Sequence, residues 1–157
     1  MSFKQYHCVS LFVCLALAGA WTACAQDEEE GPYADQISYR QSLMQSIGGH
    51  VGATAALLSG HITAEGHLKV HAAAIAGVTD DVTKYFPKDS TDKDSAAKPE
   101  IWQNWDKFVE KAHANRDATV AYNKVVQADG SPEDVRAAFK KLTETCKGCH
   151  EDYRHKD

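Results

Sequence analysis

From Ala34 onward, the apolar residues of this chain recur at steps of three and four, the spacing of one face of an α-helix. We predict a first helix that ends near Gly60 and a second helix over about residues 63–83. No run of residues alternates between apolar and polar in the way that a half-buried strand would. The stripe predicted to face the core on the first helix comprises Ile37, Arg40, Met44, Ile47, Val51, Ala55 and Leu58.

A polar loop with a proline near each end, residues 86–99, follows the second helix. We predict a third helix that starts at Pro99, a residue suited to a first helical turn, and ends near Gly130. The fourth helix begins at "SPED", residues 131–134, which combines an N-cap hydroxyl, a proline and two first-turn acids. On the second helix the predicted inner face comprises Leu68, Ala72, Ile75 and Val82. On the third helix it comprises Ile101, Trp105, Phe108, Ala112, Thr119, Tyr122 and Val125. On the fourth helix it comprises Val135, Phe139, Leu142, Cys146 and Cys149.

Four helices of about 20 residues each, joined by mostly short links, predict an all-α antiparallel four-helix bundle. A length of 157 residues suits one domain with a sizeable core. We place this domain at residues 34–157. The acidic segment "DEEEGP" falls within a flexible leader at residues 26–33.

The first 25 residues have the pattern of a cleaved signal peptide. Lys4 precedes an apolar run at residues 9–21, and Ala23 and Ala25 fit a cleavage site that would leave Gln26 as the first mature residue. The run is too short to span a bilayer comfortably, so we expect export to the periplasm without membrane insertion. A lipid anchor on Cys24 is the alternative, although Trp21 stands where such sites usually carry leucine.

Cleavage after residue 25 would change both the charge and the cysteine content. It removes one basic residue and no acidic one, so the mature chain has 16 basic and 22 acidic residues and a net charge of −6. An acidic surface argues against binding of nucleic acids or anionic membranes. Three of the five cysteines leave with the leader, and Cys146 and Cys149 remain.

The remaining cysteines lie in "CKGCH", residues 146–150, for which four interpretations compete. A thioredoxin-like pair would follow a strand at a helix N-terminus, and a structural zinc site usually needs a second cysteine pair. A disulfide within one helical turn would strain the helix. In covalent haem c attachment, a helix presents Cys146, Cys149 and His150 on one face, with His150 on the iron. The sequence therefore favours one covalently attached haem c.

A haem iron held by His150 has a sixth position that stays open or takes a second ligand. Met44 lies on the inner stripe of the first helix and could cover that position, although methionine at such a site usually serves as core packing. His67 and His71, at i and i+4, could pair on a metal, but two solvated side chains are the commoner case. The other mature histidines are His50, His61, His113 and His155.

Three stretches of the chain resemble cytochrome c′, a class II cytochrome c: "YRQSLMQSIGGH" (39–50), "FPKDS" with "KPEIW" (86–102) and "CKGCHEDYR" (146–154). The resemblance runs from about residue 33 to the end. It implies thioether bonds from Cys146 and Cys149 and His150 as the proximal axial ligand. It also implies a proximal cation at Arg154, propionate neighbours at Arg40, Gln41 and Lys98, and a distal Met44. The loop segment "STDKDSAA" (90–97) shows no obvious haem contact.

The resemblance implies a high-spin, five-coordinate haem with a hindered distal site that binds NO or CO, passes single electrons, or does both. Such a protein would not be an enzyme, would form a homodimer through its first two helices and would have a redox partner that the sequence does not identify. In the alternative, Met44 ligates the iron and the protein is a low-spin electron carrier. An NO- or peroxide-converting enzyme is a third hypothesis, but no distal acid or base supports it.

Overall fold

The computed structural model describes residues 31–156, and they form the predicted helical bundle. The predicted signal peptide, its cleavage site and Cys24 lie outside the described residues. The only pairing of the strand type within 31–156 is an isolated bridge between Ala97 and Arg154. The helices are α1 (Ala34–Leu58), α2 (His67–Val78), a 3₁₀ helix (Val82–Tyr85), a short α3 (Glu100–Gln103), α4 (Trp105–Gln127) and α5 (Pro132–Tyr153).

The four long helices pack in sequence, α1 on α2, α2 on α4 and α4 on α5, and bury two apolar clusters. The first cluster lies between α2, α4 and α5 and consists of Ala72, Ile75, Tyr122, Val126, Val135 and Leu142. The second consists of Phe86, Ala97, Ile101, Phe108 and Tyr153, with Phe108 packed edge-on against both Phe86 and Tyr153. Burial of each large side chain contributes about 1.5–3 kcal/mol. Within the described residues, no helix is both long and apolar enough to cross a membrane.

The second long helix is shorter than predicted. It begins at His67, because the preceding Gly66 has a left-handed backbone with φ of 74° that does not continue a helix. It ends at Val78, where the buried Thr79 turns its hydroxyl back to the Ile75 carbonyl at 2.9 Å. Val82 and Thr83, predicted as its last residues, belong to the 3₁₀ helix Val82–Tyr85 instead.

The predicted third helix is broken at Asn104, whose φ of −129° and ψ of 46° are not helical. The break separates α3 from α4 and changes which aromatic residue faces inward. Trp105, predicted in the core, is 37% exposed, whereas Ile101 and Phe108 are buried. Trp102 packs against the second cluster, and its indole Nε1 donates to the Pro87 carbonyl at 2.8 Å.

One inner position on α1 also differs from the prediction. Ala55 is exposed, and the adjacent Thr54 is completely buried. Thr54 lies on the side of α1 that faces α4, and its hydroxyl is buried beside the Tyr122 hydroxyl in the core.

The N-terminus of α5 is capped as predicted, and this cap supports the helix that carries the cysteine motif. The Ser131 hydroxyl accepts a hydrogen bond from the Asp134 backbone N–H at 3.1 Å. We expect Ser131→Ala to lower the free energy of unfolding by about 1 kcal/mol, and Ser131→Gly by only a few tenths of that. Denaturant unfolding of the three proteins would test this, and equal midpoints would show that the cap contributes nothing.

Candidate functional site

A cavity of about 700 Å³ lies between α1, the loop after the 3₁₀ helix, α4 and α5. Its size falls within the roughly 300–1,000 Å³ of typical ligand and cofactor sites. The second apolar cluster forms one wall. The residues contributed by α1, by α5 and by the position just after α5 include Met44, Ile47, Val51, Cys146, Cys149, His150 and Arg154.

Helix α5 presents the whole attachment motif to this cavity. Cys146, Cys149 and His150 all line it, as expected for residues at i, i+3 and i+4 of a helix. Two thiols and an imidazole on one face of a large, mainly apolar space are the donor set that a covalently attached haem requires. The residues present therefore fit this group.

The thiols of the motif are poorly suited to redox catalysis. Burial raises the pKa of Cys149 to about 11, although the nearby Lys111 ammonium acts in the opposite direction. Burial also raises the pKa of Cys146, whose sulfur lies 3.3 Å from the Asn115 side-chain nitrogen. Reactive cysteines have lowered pKa values and exist as thiolates at neutral pH. The thioredoxin-like interpretation therefore loses its support.

The zinc and disulfide interpretations also find no support in the described part of the chain. Within residues 31–156, no three His, Cys, Asp or Glu side chains are grouped for a metal ion. Cys146 and Cys149 are both free thiols. Of the four interpretations, haem attachment agrees best with the cavity.

His150 is exposed toward the cavity that it lines. The surrounding protein and the neighbouring Arg154 lower the pKa of His150, because both disfavour the positively charged imidazolium. A neutral imidazole is the form that binds a metal. Arg154, the proximal cation that the resemblance implies, also lines the cavity.

Two polar residues of α4 bind the segment of α5 that carries the motif, and sequence reasoning missed both. The Lys111 ammonium donates to the Gly148 carbonyl at 2.9 Å and pairs with Asp152 at 2.7 Å. Asn115 donates to the Thr145 hydroxyl at 2.9 Å, in addition to its contact with Cys146. Their spacing could have revealed them, because residues 111 and 115 continue the inner stripe that runs through Phe108 and Thr119.

Met44 reaches the same cavity from α1, together with Ile47 and Val51. None of the six other histidines of the described chain lines this space. Outside the motif, Met44 is therefore the only cavity-lining side chain with a sulfur or imidazole that could reach an iron.

Arg40 lines the cavity, and its guanidinium is hydrogen-bonded to the loop beside it. The residue is buried, and both terminal guanidinium nitrogens donate hydrogen bonds. Nη1 donates to the Ser90 hydroxyl at 2.8 Å and to the Tyr85 carbonyl at 3.4 Å. Nη2 donates to the Ser90 carbonyl and to the Ser95 hydroxyl at 2.7 Å. Burial lowers the pKa of Arg40, and the nearby Asp92 carboxylate partly offsets this effect.

The other two predicted propionate neighbours differ in position. Gln41 lines the cavity, and its amide donates to the Asp94 carbonyl at 2.7 Å. Lys98 does not line the cavity, and its ammonium donates to the Glu151 carbonyl at 3.1 Å. The geometry thus brings Arg40 and Gln41 to the site but directs Lys98 to the end of α5.

The loop segment 90–97 contributes more to the site than the sequence suggested. Asp94, Ala96 and Ala97 line the cavity. The loop is tied to the residues after α5, since the His155 backbone N–H donates to the Ala96 carbonyl at 2.9 Å. No local signal reveals these contacts, because the loop is positioned by Arg40, 50 residues before Ser90, and by His155, 59 residues after Ala96.

Comparison with known proteins confirms the predicted resemblance. A family model described as Cytochrome C′ matches residues 35–154, nearly all of the described chain. The chain belongs to the cytochrome c′ family. Membership implies a haem c, in agreement with the motif in the cavity.

Relatives and solved structures support the same assignment. A cytochrome c-556 of Agrobacterium fabrum is 34% identical over 99% of this chain and 98% of its own length. A cytochrome c′ of Pararhodospirillum photometricum is 29% identical over 75% of this chain and 94% of its own. The structure of cytochrome c prime from Shewanella frigidimarina matches with a TM-score of 0.74 and 28% identity over 80% of this chain and 98% of that one.

A further structural match carries a gaseous ligand. It is the nitric oxide complex of a mutant of cytochrome c prime from Alcaligenes xylosoxidans, with a TM-score of 0.73 and 26% identity. The match covers 80% of this chain and 97% of that one. The predicted four-helix bundle is thus confirmed by its likeness to cytochrome c′ structures.

Proposed function

We propose that this member of the cytochrome c′ family is an exported protein with one haem c, attached through Cys146 and Cys149 and ligated by His150. The observation that carries the proposal is that these three residues and Met44 line one cavity of suitable size. When bound, the haem supplies an iron that changes oxidation state and takes diatomic ligands. The protein positions this iron, excludes water from it and supplies the neutral imidazole of His150.

The α1 side of the cavity supports a hindered site for NO or CO. Of the α1 residues that line the cavity, Met44, Ile47 and Val51 are apolar and cannot donate a hydrogen bond to a bound gas, whereas Arg40, Gln41 and Gln45 are polar. The Arg40 guanidinium and the Gln41 amide already donate to the neighbouring loop. O₂ depends on such polar stabilisation more than NO and CO do, so an apolar pocket disfavours O₂. A mutant of the Alcaligenes xylosoxidans relative forms a nitric oxide complex, and this supports NO as a ligand.

Visible and EPR spectra of the ferric protein, repeated after reduction with and without NO, test this proposal directly. A high-spin ferric signal and uptake of NO by the reduced protein are expected. A low-spin signal, a methionine-to-iron charge-transfer band and no ready NO binding would contradict a five-coordinate iron.

Those contradicting spectra would match a second candidate function, a low-spin electron carrier in which Met44 is the sixth ligand. One observation favours it: Met44 is the only cavity-lining residue outside the motif with a metal-binding sulfur or imidazole. Both candidates use the same attachment site, and they differ only in whether the Met44 sulfur binds the haem iron.

Substitution of Met44 separates the two candidates. If the iron is five-coordinate, Met44→Ala should open the pocket and speed CO or NO association on the order of tenfold, equivalent to about 1.4 kcal/mol of barrier. The ferric spin state should not change, and Met44→Leu should resemble the wild type. If Met44 is a ligand, both variants should convert low-spin iron to high-spin.

Leu43→Ala is the matched control for these variants, because Leu43 is the chain neighbour of Met44 and does not line the cavity. Stopped-flow ligand binding and EPR of the four proteins provide the measurements. If all of them bind the gas at equal rates with equal spin states, Met44 neither covers nor ligates the iron.

The proposal extends to location and partners. The N-terminal sequence supports export to the periplasm, and the acidic mature chain suits a redox partner with a basic docking face. We also propose a homodimer formed through α1 and α2. We propose, too, that the protein binds its ligand and transfers electrons without substrate turnover.

A further inference from the structure

A second group of metal-binding side chains lies away from the cavity, between α1 and α2. His50 of α1 and His71 of α2 are 21 residues apart in sequence, and their Nδ1 atoms are 2.9 Å apart. Both are partly exposed. His67 lies one turn before His71 on α2, and the centroids of these two rings are 6.1 Å apart. Sequence reasoning paired His67 with His71 and did not include His50.

We infer that His50 and His71 form a surface site for a divalent transition-metal ion of the zinc, copper and nickel group. Imidazole nitrogen is a preferred ligand of these ions. Metal–nitrogen bonds are about 2.0–2.1 Å long, so two nitrogens lie about 2.9 Å apart at the right angles of square-planar copper or nickel and about 3.3 Å apart at the tetrahedral angle of zinc. The Nδ1 atoms of His50 and His71 are 2.9 Å apart, which matches the first separation and is within about 0.4 Å of the second.

The ionisation of the pair is compatible with metal binding. At 2.9 Å one ring donates its Nδ1–H to the Nδ1 of the other, so the two nitrogens share a single proton. Burial, together with His50 and His67, lowers the pKa of His71 and favours the neutral form that binds metals. For an ion to take the place of the shared proton, the donor ring must carry its hydrogen on Nε2 instead of Nδ1. Both imidazoles then bind through Nδ1, and both remain neutral.

The site has two protein ligands in place, and solvent completes the coordination. In the part of the chain that the structure describes, no three His, Cys, Asp or Glu side chains already surround one point. Because His67 and His71 are at i and i+4, His67 is a third imidazole on the same side of α2. The acidic mature chain also raises the local concentration of cations. An ion held by His50 and His71 would link α1 to α2.

Titration of the tag-free holoprotein with Zn²⁺, followed by calorimetry and thermal unfolding, tests the site. One equivalent of Zn²⁺ should bind, and the unfolding temperature should rise with the logarithm of free metal. His50→Ala and His71→Ala should each weaken binding at least about tenfold. His113→Ala is the matched control, since His113 is an exposed histidine on α4, and it should leave binding unchanged.

Circular dichroism and the haem spectrum establish that each variant retains its fold, so that lost binding reports on the site. If Zn²⁺ does not bind, or if it binds equally well to the His50 and His71 variants, the site does not exist. A matching loss in His113→Ala would overturn the assignment too, because it would show that binding is spread over the surface histidines.

Discussion

Replacing both Cys146 and Cys149 with alanine is expected to abolish the haem that stays with the chain after denaturation. The two thiols are the only cysteines of the described chain, and both line the cavity. Without them, no thioether bond can join the porphyrin to α5. Haem staining of denaturing gels and the intact mass of the exported protein measure this loss. The expected decrease is complete, since no other thiol of residues 31–156 faces the site.

Variants of neighbouring residues make this test specific. Lys147→Ala changes an exposed residue between the two cysteines and should leave the bound haem intact. His150→Ala removes the proposed axial ligand but neither thiol, so it should alter the absorption spectrum while the haem stays on the chain. Haem that survives denaturation in the double cysteine variant would contradict covalent attachment through Cys146 and Cys149.

Arg40→Leu is expected to destabilise the protein by about 3 kcal/mol, the largest effect that we expect from a single substitution outside the attachment motif. The guanidinium satisfies the fully buried Ser90 hydroxyl, the Ser90 carbonyl and the Ser95 hydroxyl. Each buried polar group left without a partner costs about 1–3 kcal/mol. The Arg40 guanidinium also lies 4.9 Å from the centre of the Phe86 ring, in a cation–π arrangement that leucine cannot replace.

Denaturant unfolding of the holoprotein measures this effect, and amide hydrogen exchange over residues 85–97 shows where it acts. Gln41→Ala is the control, because Gln41 makes one exposed hydrogen bond to the same loop and should cost less than about 1 kcal/mol. Arg40→Lys should be intermediate, since one ammonium cannot reproduce the planar fork of the guanidinium. Equal midpoints for Arg40→Leu and Gln41→Ala would show that the loop is held by other contacts.

Arg40 shows that the sequence can predict the burial of a residue without predicting the contacts that it makes. Its place on an apolar stripe predicts burial, and it is 3% exposed. The resemblance implies pairing with a haem propionate, and this remains a prediction. In the structure, both terminal nitrogens bind the loop around Ser90, a segment that the sequence presents as an ordinary polar connection. The loop acquires its function as a cavity wall from this contact.

The sequence alone determined the features that depend on residues close to one another along the chain. Helical periodicity predicts the four long helices, and the Ser131–Pro132 start signal marks the first residue of α5. Spacing at i, i+3 and i+4 places Cys146, Cys149 and His150 on one face wherever that helix packs. The family resemblance rests on these local patterns, so it could be recognised without coordinates.

Only the tertiary structure decided the features that depend on contacts between distant segments. The break at Asn104 turns Trp105 outward, and the chain end positions the loop at Ala96. The Nδ1 atoms of His50 and His71 lie within hydrogen-bond distance because of the position along their axes at which α1 and α2 pack. Spacing within a helix is set by the backbone, whereas the depth and rotation at which two helices pack depend on every side chain between them. A single sequence does not encode that outcome locally.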